Sequence, residues 1–402
     1  MSTPEVRAAR YALGILAFIN LFNYLDRFVL SAVVESIKPD LGLTDTQIGF
    51  LASGFLVVYT MTSPLFGTLG DKRKRPPLIA IGVAIWSLAT ALGGLARGFW
   101  TLFLARSTVG VGEAAYGTIA PALLSDHFPY EKRGRVFSVF FAAIPIGAAA
   151  GYVLGGFADA HFGWRAAFFI AGVPGLLLSL LILGVKDPPR GQHDAPSVPR
   201  ADGNAYRDLL RNRVFLLAAI GYGAYTFALG GLAFWMPAFL ERVRGMPRKE
   251  ATVTFGLIAL GTGFVGTFTG GWIGDYFLKR SKHAYLWVSA VATLLAAPAT
   301  YVALTNPNKP VYLTAIVIGE LLIFASTGPI NSAIINAVPP PERATAMGLS
   351  VFVMHLLGDI PATPVIGAIS DASSLAKGIL VVPAAIVVAS IVWGIAARTK
   401  SE

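Results

Sequence analysis

GTLGD, at residues 67–71, ends one long apolar run of this chain, and the same pattern ends three others. Each copy reads glycine, two further residues, a small residue and aspartate. The other copies are GGFAD at 155–159, GWIGD at 271–275 and GAISD at 367–371. Successive aspartates lie 88, 116 and 96 residues apart. Four units of roughly 90 residues, separated in the middle by a longer polar stretch, indicate a membrane protein that repeats a helical unit.

The composition agrees with a membrane protein. Mean hydropathy is +0.64, and only 13% of residues are charged, against about 25% in soluble domains. Strand-like alternation is missing from the apolar runs, which predicts an all-α membrane protein rather than a barrel. Twelve runs are long enough to cross roughly 30 Å of hydrocarbon. They are 11–34, 45–69, 77–96, 99–126, 135–158, 164–184, 214–240, 251–277, 284–304, 311–337, 344–370 and 376–397.

The net charge of +10 predicts orientation, not nucleic-acid binding. If both termini are cytoplasmic, 21 of the 32 Lys and Arg residues fall on the cytoplasmic side, as the positive-inside rule requires. We therefore expect a multi-pass protein of the inner (cell) membrane. The first run is too long for a cleavable signal peptide and carries Asp26 and Arg27. The absence of cysteine excludes disulfides and thiolate metal sites.

The one extended polar stretch, 185–211, predicts a flexible cytoplasmic linker with a short surface helix at 205–211. It divides the chain into an N-terminal six-helix bundle, 1–184, and a C-terminal six-helix bundle, 212–402. The two halves align: PYEKRGRVFSVF at 129–140 matches PPERATAMGLSVF at 340–352. Ser138 and Ser350 are 212 residues apart, and so are Asp159 and Asp371.

The extended motif GTLGDKRKR at 67–75 resembles the signature loop of the major facilitator superfamily, and Arg106-x-x-x-Gly110-x-Gly112 is similar to a second superfamily motif. NYLDR at 23–27 and GVGEAAYGTIAPALLSDHF at 110–128 resemble the Spinster family. This resemblance implies twelve transmembrane helices in two six-helix halves, inverted three-helix repeats and alternating access. It also implies a lysolipid or phosphorylated sphingoid base as substrate. Asp-Arg in the first helix also occurs in organic-anion symporters of the superfamily.

Four charged residues lie well inside the first and fourth predicted spans: Asp26 and Arg27 in the first, Arg106 and Glu113 in the fourth. Each costs about 2.5–3.5 kcal/mol at a helix centre unless it is paired or faces water. Their charges sum to zero, and the superfamily resemblance places both helices on a central cavity. One interpretation is a static salt-bridge cluster. Apolar replacements of buried ion pairs are often neutral or stabilising, which argues against a purely structural use.

The other interpretation is proton coupling and substrate binding by the same four residues. A carboxylate beside a cation stays ionised. When it is separated from that cation and is also shielded from water, it takes up a proton. A substrate phosphate could compete for Arg27 or Arg106, since guanidinium pairs well with phosphate oxygens. An anionic head group entering as a proton leaves would give exchange. The sequence leaves antiport and symport open.

Further polar residues are candidates for the same cavity. Asn20 and Asn23 share the first helix with Asp26, and Tyr116 could hold the carboxyl of Glu113. In the second half, Glu320 lies in the tenth span. His355 and Asp359 are spaced i, i+4 in the eleventh. One interpretation is a proton-sensitive pair. The other is that Asp359 hydrogen-bonds to backbone groups that nearby prolines leave unpaired.

The motif at 67–75 also predicts a cytoplasmic gate. Asp71 could bind a basic residue such as Arg133 only when the cytoplasmic side is closed. Gly67 is expected to allow close helix approach, and Arg75 and Asp275 complete the predicted gating set.

These features distinguish three function classes. A proton-coupled secondary transporter fits best. A membrane enzyme is disfavoured because the sequence has no nucleophile elbow, no cysteine and no histidines at ligand spacing. A receptor derived from a transporter would be favoured by a soluble signalling domain, which the sequence does not show. Within transport, the alternative to an amphipathic anionic lipid is a small organic anion or a hydrophobic drug. We expect a monomer whose partners are the bilayer, protons and a small-molecule or lipid substrate, with no cofactor, metal or nucleic acid.

Overall fold

The computed structural model describes residues 3–191, 205–338 and 343–399, and this part of the chain contains helices without strands. The helices of the N-terminal half are α1 (Thr3–Ala32), α2 (Val34–Leu41), α3 (Asp45–Lys72), α4 (Arg75–Gly93), α5 (Phe99–His127), α6 (Tyr130–Phe162) and α7 (Trp164–Leu181). A short 3₁₀ turn, Ile182–Gly184, follows α7. The prediction of an all-α protein is confirmed.

The C-terminal half begins with α8 (Ala205–Arg211), the short helix that the sequence predicts beside the linker. The remaining helices are α9 (Arg213–Arg242), α10 (Arg248–Leu278), α11 (Ala284–Thr305), α12 (Lys309–Phe324), α13 (Thr327–Asn336), α14 (Arg343–Met354), α15 (Ile360–Ala372), α16 (Leu375–Gly378) and α17 (Val381–Arg398). A π-helical segment, His355–Asp359, joins α14 to α15.

Local chemistry accounts for several helix boundaries. Thr44 and Gln47 form a reciprocal capping box at the start of α3, in which each side chain satisfies a backbone N–H of the first turn. Asn212 caps α9 by accepting from the backbone N–H of Phe215 over 3.0 Å. Gly42 ends α2 in the left-handed conformation, with φ of 62°, which glycine adopts without a side-chain penalty.

Twelve of these segments are long enough to cross a membrane. Among the described residues, eleven helical segments combine sufficient length with an apolar composition. The twelfth, α5, has 29 residues and is more polar because it carries Arg106 and Glu113. Many large apolar side chains face outward, including Met61, Phe268 and Trp272 at 75%, 73% and 72% exposure. A soluble protein rarely exposes so much apolar surface, whereas a protein surrounded by lipid does so without cost. The protein is therefore a multi-pass integral membrane protein.

Two compact units divide the described chain. The first contains residues 3–191 and 246–256, and its main helix packing joins α1 to α6, α3 to α5, and α4 to both α5 and α7. The second contains residues 205–245 and 257–399, in which α17 packs on α9 and α11, and α11 packs on α12. The predicted boundaries at 184, 211 and 212 stay a prediction. The contacts place 246–256, the loop before α10 and its first turns, with the first unit.

Small residues bring α6 close to α1. A Cβ atom at Gly147 would lie 2.4 Å from the carbonyl oxygen of Leu21, and one at Gly151 would lie 2.5 Å from that of Leu25. Glycines at helix contacts in membranes allow this backbone approach. The glycine repeat in α6 thus fixes the position of α1, the helix that carries Asp26 and Arg27.

The start of the linker contacts the helices of the N-terminal half. Arg75, at the first residue of α4, is buried and binds three groups. Its guanidinium donates to Asp126 Oδ2 over 2.5 Å, to Asp187 Oδ1 over 2.7 Å and to the carbonyl oxygen of Pro188 over 2.7 Å. Arg190 donates to the carbonyl oxygen of Gly70 over 2.8 Å. These contacts hold residues 185–191 against α3, α4 and α5. The flexibility of the linker stays a prediction, and residues 192–204 lie outside the described chain.

Candidate functional site

Two ion pairs connect α1 to α5 within the first unit. In the first pair, Nη1 of Arg106 donates to Oδ1 of Asp26 over 2.9 Å, and the two side chains are only 2% and 1% exposed. The hydroxyl of Thr90, on α4, donates to the other oxygen of Asp26. Both carboxylate oxygens of Asp26 are thus hydrogen-bonded inside the protein. This pair is closed to solvent.

The second pair joins Arg27 to Glu113. Nε of Arg27 donates to Oε2 of Glu113 over 2.7 Å. The Glu113 side chain has no exposed surface, whereas the Arg27 side chain is 20% exposed. Oε1 of Glu113 is buried and has no hydrogen-bond partner among the described residues. The carboxylate is therefore inaccessible while the cation that neutralises it can be reached from outside the pair.

Helix geometry explains the pairing. Asp26 and Arg27 are consecutive, so their side chains leave α1 about 100° apart. Arg106 and Glu113 are spaced i, i+7 and share one face of α5, about 10 Å apart along its axis. The two α1 residues therefore meet different positions of that face. Because each pair contains one acid and one base, the cluster carries no net charge, which limits the cost of burying it.

Three aromatic rings surround the guanidinium of Arg27. Its central carbon lies 4.9 Å from the ring centre of Tyr24, on α1, and 5.1 Å from those of Phe55 and Tyr59, on α3. Phe55 also lies 5.7 Å from the central carbon of Arg106, so its ring touches both arginines. These distances are within the range of cation–π attraction.

Sequence reasoning missed Thr90 and the three rings. A signal was available for Tyr24, which precedes Arg27 by three residues and so shares its helix face. Phe55 and Tyr59 are likewise spaced i, i+4 on one face of α3. Nothing in the sequence, however, directs that face toward α1. Thr90 has no detectable signal.

The three other polar candidates of the first half have different surroundings. Asn20 donates to the carbonyl oxygen of Phe140 over 2.9 Å, which ties α1 to α6. Asn23 is buried, and its Nδ2 has no partner among the described residues. The expectation that Tyr116 holds the carboxyl of Glu113 is wrong, because its hydroxyl donates to the carbonyl oxygen of Leu16 over 2.6 Å. The hydroxyl is thereby committed to the backbone of α1.

Glu320, in the second unit, lies on α12 and is buried without a hydrogen bond to any described residue. It lines a small pocket between α9, α11 and α12. Thr300, whose hydroxyl also lacks a described partner, lines the same pocket. The other lining residues are apolar: Leu232, Met236, Ala303, Leu304 and Ile316.

The His355–Asp359 pair is formed in the structure. Nδ1 of His355 lies 2.9 Å from Oδ1 and 3.1 Å from Oδ2 of Asp359. Both residues lie in the π-helical segment, and such segments are often found at functional sites. The Asp359 side chain makes no capping hydrogen bond at the start of α15. This geometry supports a histidine–carboxylate pair rather than repair of proline-freed backbone.

The predicted gating residues have varied surroundings. Asp71 is exposed and makes no hydrogen bond or ion pair with the described residues, while the side chain of Arg133 lies outside the described part. Asp275 accepts a hydrogen bond from the hydroxyl of Tyr285 over 2.7 Å. Arg75 does not turn toward Asp71 but toward the linker. The structure does not bring this set together.

Gly67 also differs from its expected role. A Cβ atom at Gly67 would meet no atom within 4 Å, so this position does not hold two helices together. Close approach occurs one turn later, where a Cβ at Gly70 would lie 2.9 Å from the Ile119 side chain. The repeated glycine is therefore not the contact position in this copy of the motif.

The sequence of the chain matches the family model of the Major Facilitator Superfamily over residues 16–363. It is 35% identical to Protein spinster homolog 3 of Danio rerio, over 93% of this chain and 80% of that protein. It is also 35% identical to Protein spinster homolog 1 of Homo sapiens, over 89% of this chain and 72% of that protein.

The chain belongs to the Spinster family of the major facilitator superfamily. It is 32% identical to Protein spinster of Drosophila melanogaster, and the match spans 62% of that protein's length. A solved bacterial homolog of the human lysosomal transporter Spinster, described as inward-facing and unoccupied, superimposes with a TM-score of 0.90. The sequence identity is 24%, and the superposition covers 99% of this chain and 98% of that structure. At this identity, the likeness shows the fold alone.

The nucleoside transporter NupG superimposes with a TM-score of 0.76 at 14% identity, covering 97% of this chain and all of that one. The twelve-helix fold of the superfamily is thereby confirmed for this Spinster-family chain. The protein is a membrane transporter, a class that is generally non-enzymatic.

Proposed function

We propose that this Spinster-family protein is a proton-coupled secondary transporter that moves an amphipathic anion by alternating access. The observation that carries the proposal is the asymmetry of one ion pair. Glu113 is completely buried, whereas its partner Arg27 is one-fifth exposed. A substrate can therefore reach the cation without first reaching the carboxylate.

The head group is the first element of the proposal. Only Nε of Arg27 is used by Glu113, and no acceptor for Nη1 or Nη2 is found among the described residues. Two parallel N–H groups suit the paired oxygens of a phosphate or carboxylate. Arg106 is a poorer candidate, because it is buried against Asp26. We assign anion binding to Arg27 and a structural role to the Asp26–Arg106 pair.

The proton is the second element. When an anion neutralises Arg27, Glu113 loses the charge that keeps it ionised in a site without solvent, and it takes up a proton on its carboxylate. The unpartnered Oε1 offers a place for that proton. Glu113 and the substrate anion compete for one cation, so protonation of Glu113 favours anion binding. This argues for proton and substrate moving together rather than in exchange.

The apolar part of the substrate is the third element. The relationship to Spinster proteins supports a lipid, because the sequence resemblance associates that family with lysolipids and phosphorylated sphingoid bases. The location proposed with this function is the inner cell membrane, with both termini cytoplasmic and the chain acting as a monomer. The excess of basic residues in the segments assigned to the cytoplasm supports this orientation.

The proposal is tested with purified protein in liposomes. Uptake of radiolabelled lysophosphatidic acid, citrate and rhodamine 6G is compared with and without an imposed pH gradient, and protein-free liposomes correct for spontaneous lipid flipping. We expect gradient-stimulated uptake of lysophosphatidic acid alone. Uptake of only citrate or only rhodamine would instead establish a small organic anion or a hydrophobic drug as substrate, and would overturn the lipid assignment.

A further inference from the structure

The surroundings of Arg27 contain a second set of interactions besides its ion pair. The rings of Tyr24, Phe55 and Tyr59 lie 4.9–5.1 Å from its central guanidinium carbon. They come from two helices, α1 and α3, while Glu113 comes from a third, α5. The guanidinium is thus held from one direction by charge and from others by ring faces.

The backbone of α5 makes room for this arrangement. A Cβ atom at Gly117 would lie 2.9 Å from the hydroxyl oxygen of Tyr59. Gly117 lies one turn beyond Glu113, so the α5 face that presents the carboxylate also admits the Tyr59 ring. Phe55 packs its ring against Tyr59, with centres 6.0 Å apart. We call the three rings that face the guanidinium of Arg27, Phe55 and Tyr59 from α3 and Tyr24 from α1, the ring wall.

The ring wall matters most when the ion pair is broken. A protonated Glu113 no longer attracts Arg27 by charge, and a long arginine side chain released in this way has many rotamers. Aromatic faces attract a guanidinium whatever the protonation state of the acid. The charged and titratable groups near the pair are Tyr24 and Asp26 on α1, Tyr59 on α3 and Arg106 on α5. Arg106 is engaged by Asp26 and cannot replace Arg27.

We propose that Tyr24, Phe55 and Tyr59 are positioning residues that keep the guanidinium of Arg27 facing the substrate after Glu113 has been protonated. The inference rests on the proposed function, in which a protonated Glu113 leaves Arg27 free for an anion. Without the rings, the released side chain would spread over many orientations, and the anion would have to restore one of them at a cost in affinity.

The test isolates the rings by removing the ion pair. Glu113→Gln imitates the protonated acid, and Tyr59→Leu, Tyr59→Phe and Phe18→Leu are added to it singly. Tyr59→Phe keeps the ring face but removes the hydroxyl. Phe18 lies on α1 and is exposed, so Phe18→Leu controls for loss of an aromatic residue. Binding of radiolabelled lysophosphatidic acid is measured on protein in nanodiscs.

In the Glu113→Gln background we expect Tyr59→Leu to weaken binding about three- to tenfold, with a smaller effect when Glu113 is present. Tyr59→Phe and Phe18→Leu should change binding less than twofold, on the order of experimental error for such differences. Unchanged binding in Tyr59→Leu would overturn the proposal, and so would an equal loss in Tyr59→Phe. If Tyr59→Leu does not fold, Tyr24→Leu replaces it with the same expectation.

A second measurement needs no substrate. The rate at which phenylglyoxal modifies Arg27 is followed by mass spectrometry of the peptide that contains it. A guanidinium released from the ring wall should react faster in Tyr59→Leu with Glu113→Gln than in Glu113→Gln alone, and equal rates would overturn the inference. If the unmodified protein fails to bind lysophosphatidic acid, the proposed function fails, and the labelling rate still decides the role of the rings.

Discussion

Nε of Arg27 donates to Oε2 of Glu113 over 2.7 Å, joining a guanidinium that is one-fifth exposed to a carboxylate with no exposed surface. Seven residues before Glu113 on the same helix, Arg106 makes the opposite kind of pair with Asp26, in which both members are buried. The two ion pairs have equal charge and similar geometry. They differ in whether one of their members can be reached from solvent. This difference separates a pair that a substrate can open from a pair that holds helices together.

The two arginines should respond differently to lysine. Arg27→Lys keeps the charge but loses the planar fork, so affinity for lysophosphatidic acid should fall by about 1–3 kcal/mol while the protein still folds. Arg106→Lys should mainly lower thermal stability, because a lysine cannot reproduce the buried contact with Asp26. Binding and melting temperature are measured on both variants. An equal loss of affinity in both would contradict the division of roles.

The sequence indicated the charged cluster but not its pairing. Four charges inside apolar runs are visible without a structure, because charge in hydrocarbon is costly. Which base meets which acid depends on the rotation of α1 and α5 about their axes, and apolar periodicity fixes that rotation only to within about one residue, or 100°. The same uncertainty explains Tyr116, whose hydroxyl reaches the backbone of Leu16 rather than Glu113.

The glycine motif shows another limit of sequence reasoning. Gly67 and Gly151 look alike in sequence, as small residues within membrane helices, but only Gly151 meets a neighbouring backbone. Small-residue patterns identify helix contacts in general. They do not tell which of two neighbouring glycines faces the partner helix. In this motif the contact is made by Gly70 and not by Gly67.

This contrast gives a matched pair of stability variants. Gly151→Ala should destabilise the protein by about 1–3 kcal/mol, because its Cβ would lie 2.5 Å from the carbonyl oxygen of Leu25. Gly67→Ala should be neutral or slightly stabilising, since alanine is the better helix former. Denaturation in detergent measures both. A larger loss in Gly67→Ala than in Gly151→Ala would show that the contacts of α1 and α6 are misassigned.

The Arg75 contacts predict an ordered start of the linker. Asp187→Asn removes the negative charge that pairs with Arg75. Residues 185–191 should then be released, and their backbone amides should exchange hydrogen faster. The exposed side chain of Lys186 supplies the control, Lys186→Gln. Arg75→Gln leaves Asp126 without its cation and should cost more stability, about 3 kcal/mol. Exchange that is equally slow in Asp187→Asn would mean that the backbone contacts alone hold this segment.

The proposed cytoplasmic gate rests on Asp71, an exposed carboxylate at the end of α3. Asp71→Asn should shift the protein toward inward-facing states, and a change of about 1–2 kcal/mol would alter the state ratio roughly 5- to 30-fold. Spin labels at the ends of α5 and α13 that the proposed orientation places in the cytoplasm report the change as a distance distribution. An unchanged distribution with intact transport would show that Asp71 does not gate.

The central claim is that Glu113 carries the proton that accompanies the substrate. Proton entry into liposomes is recorded with a pH-sensitive dye while lysophosphatidic acid is added outside, for the unmodified protein, Glu113→Gln and the control Glu35→Gln, whose acid lies on α2 outside the cluster. We predict substrate-dependent proton entry in the unmodified protein and in Glu35→Gln. Glu113→Gln should show none, although it folds and still binds substrate, and Asp26→Asn should be affected equally or less. Normal substrate-dependent proton entry by Glu113→Gln would contradict the account.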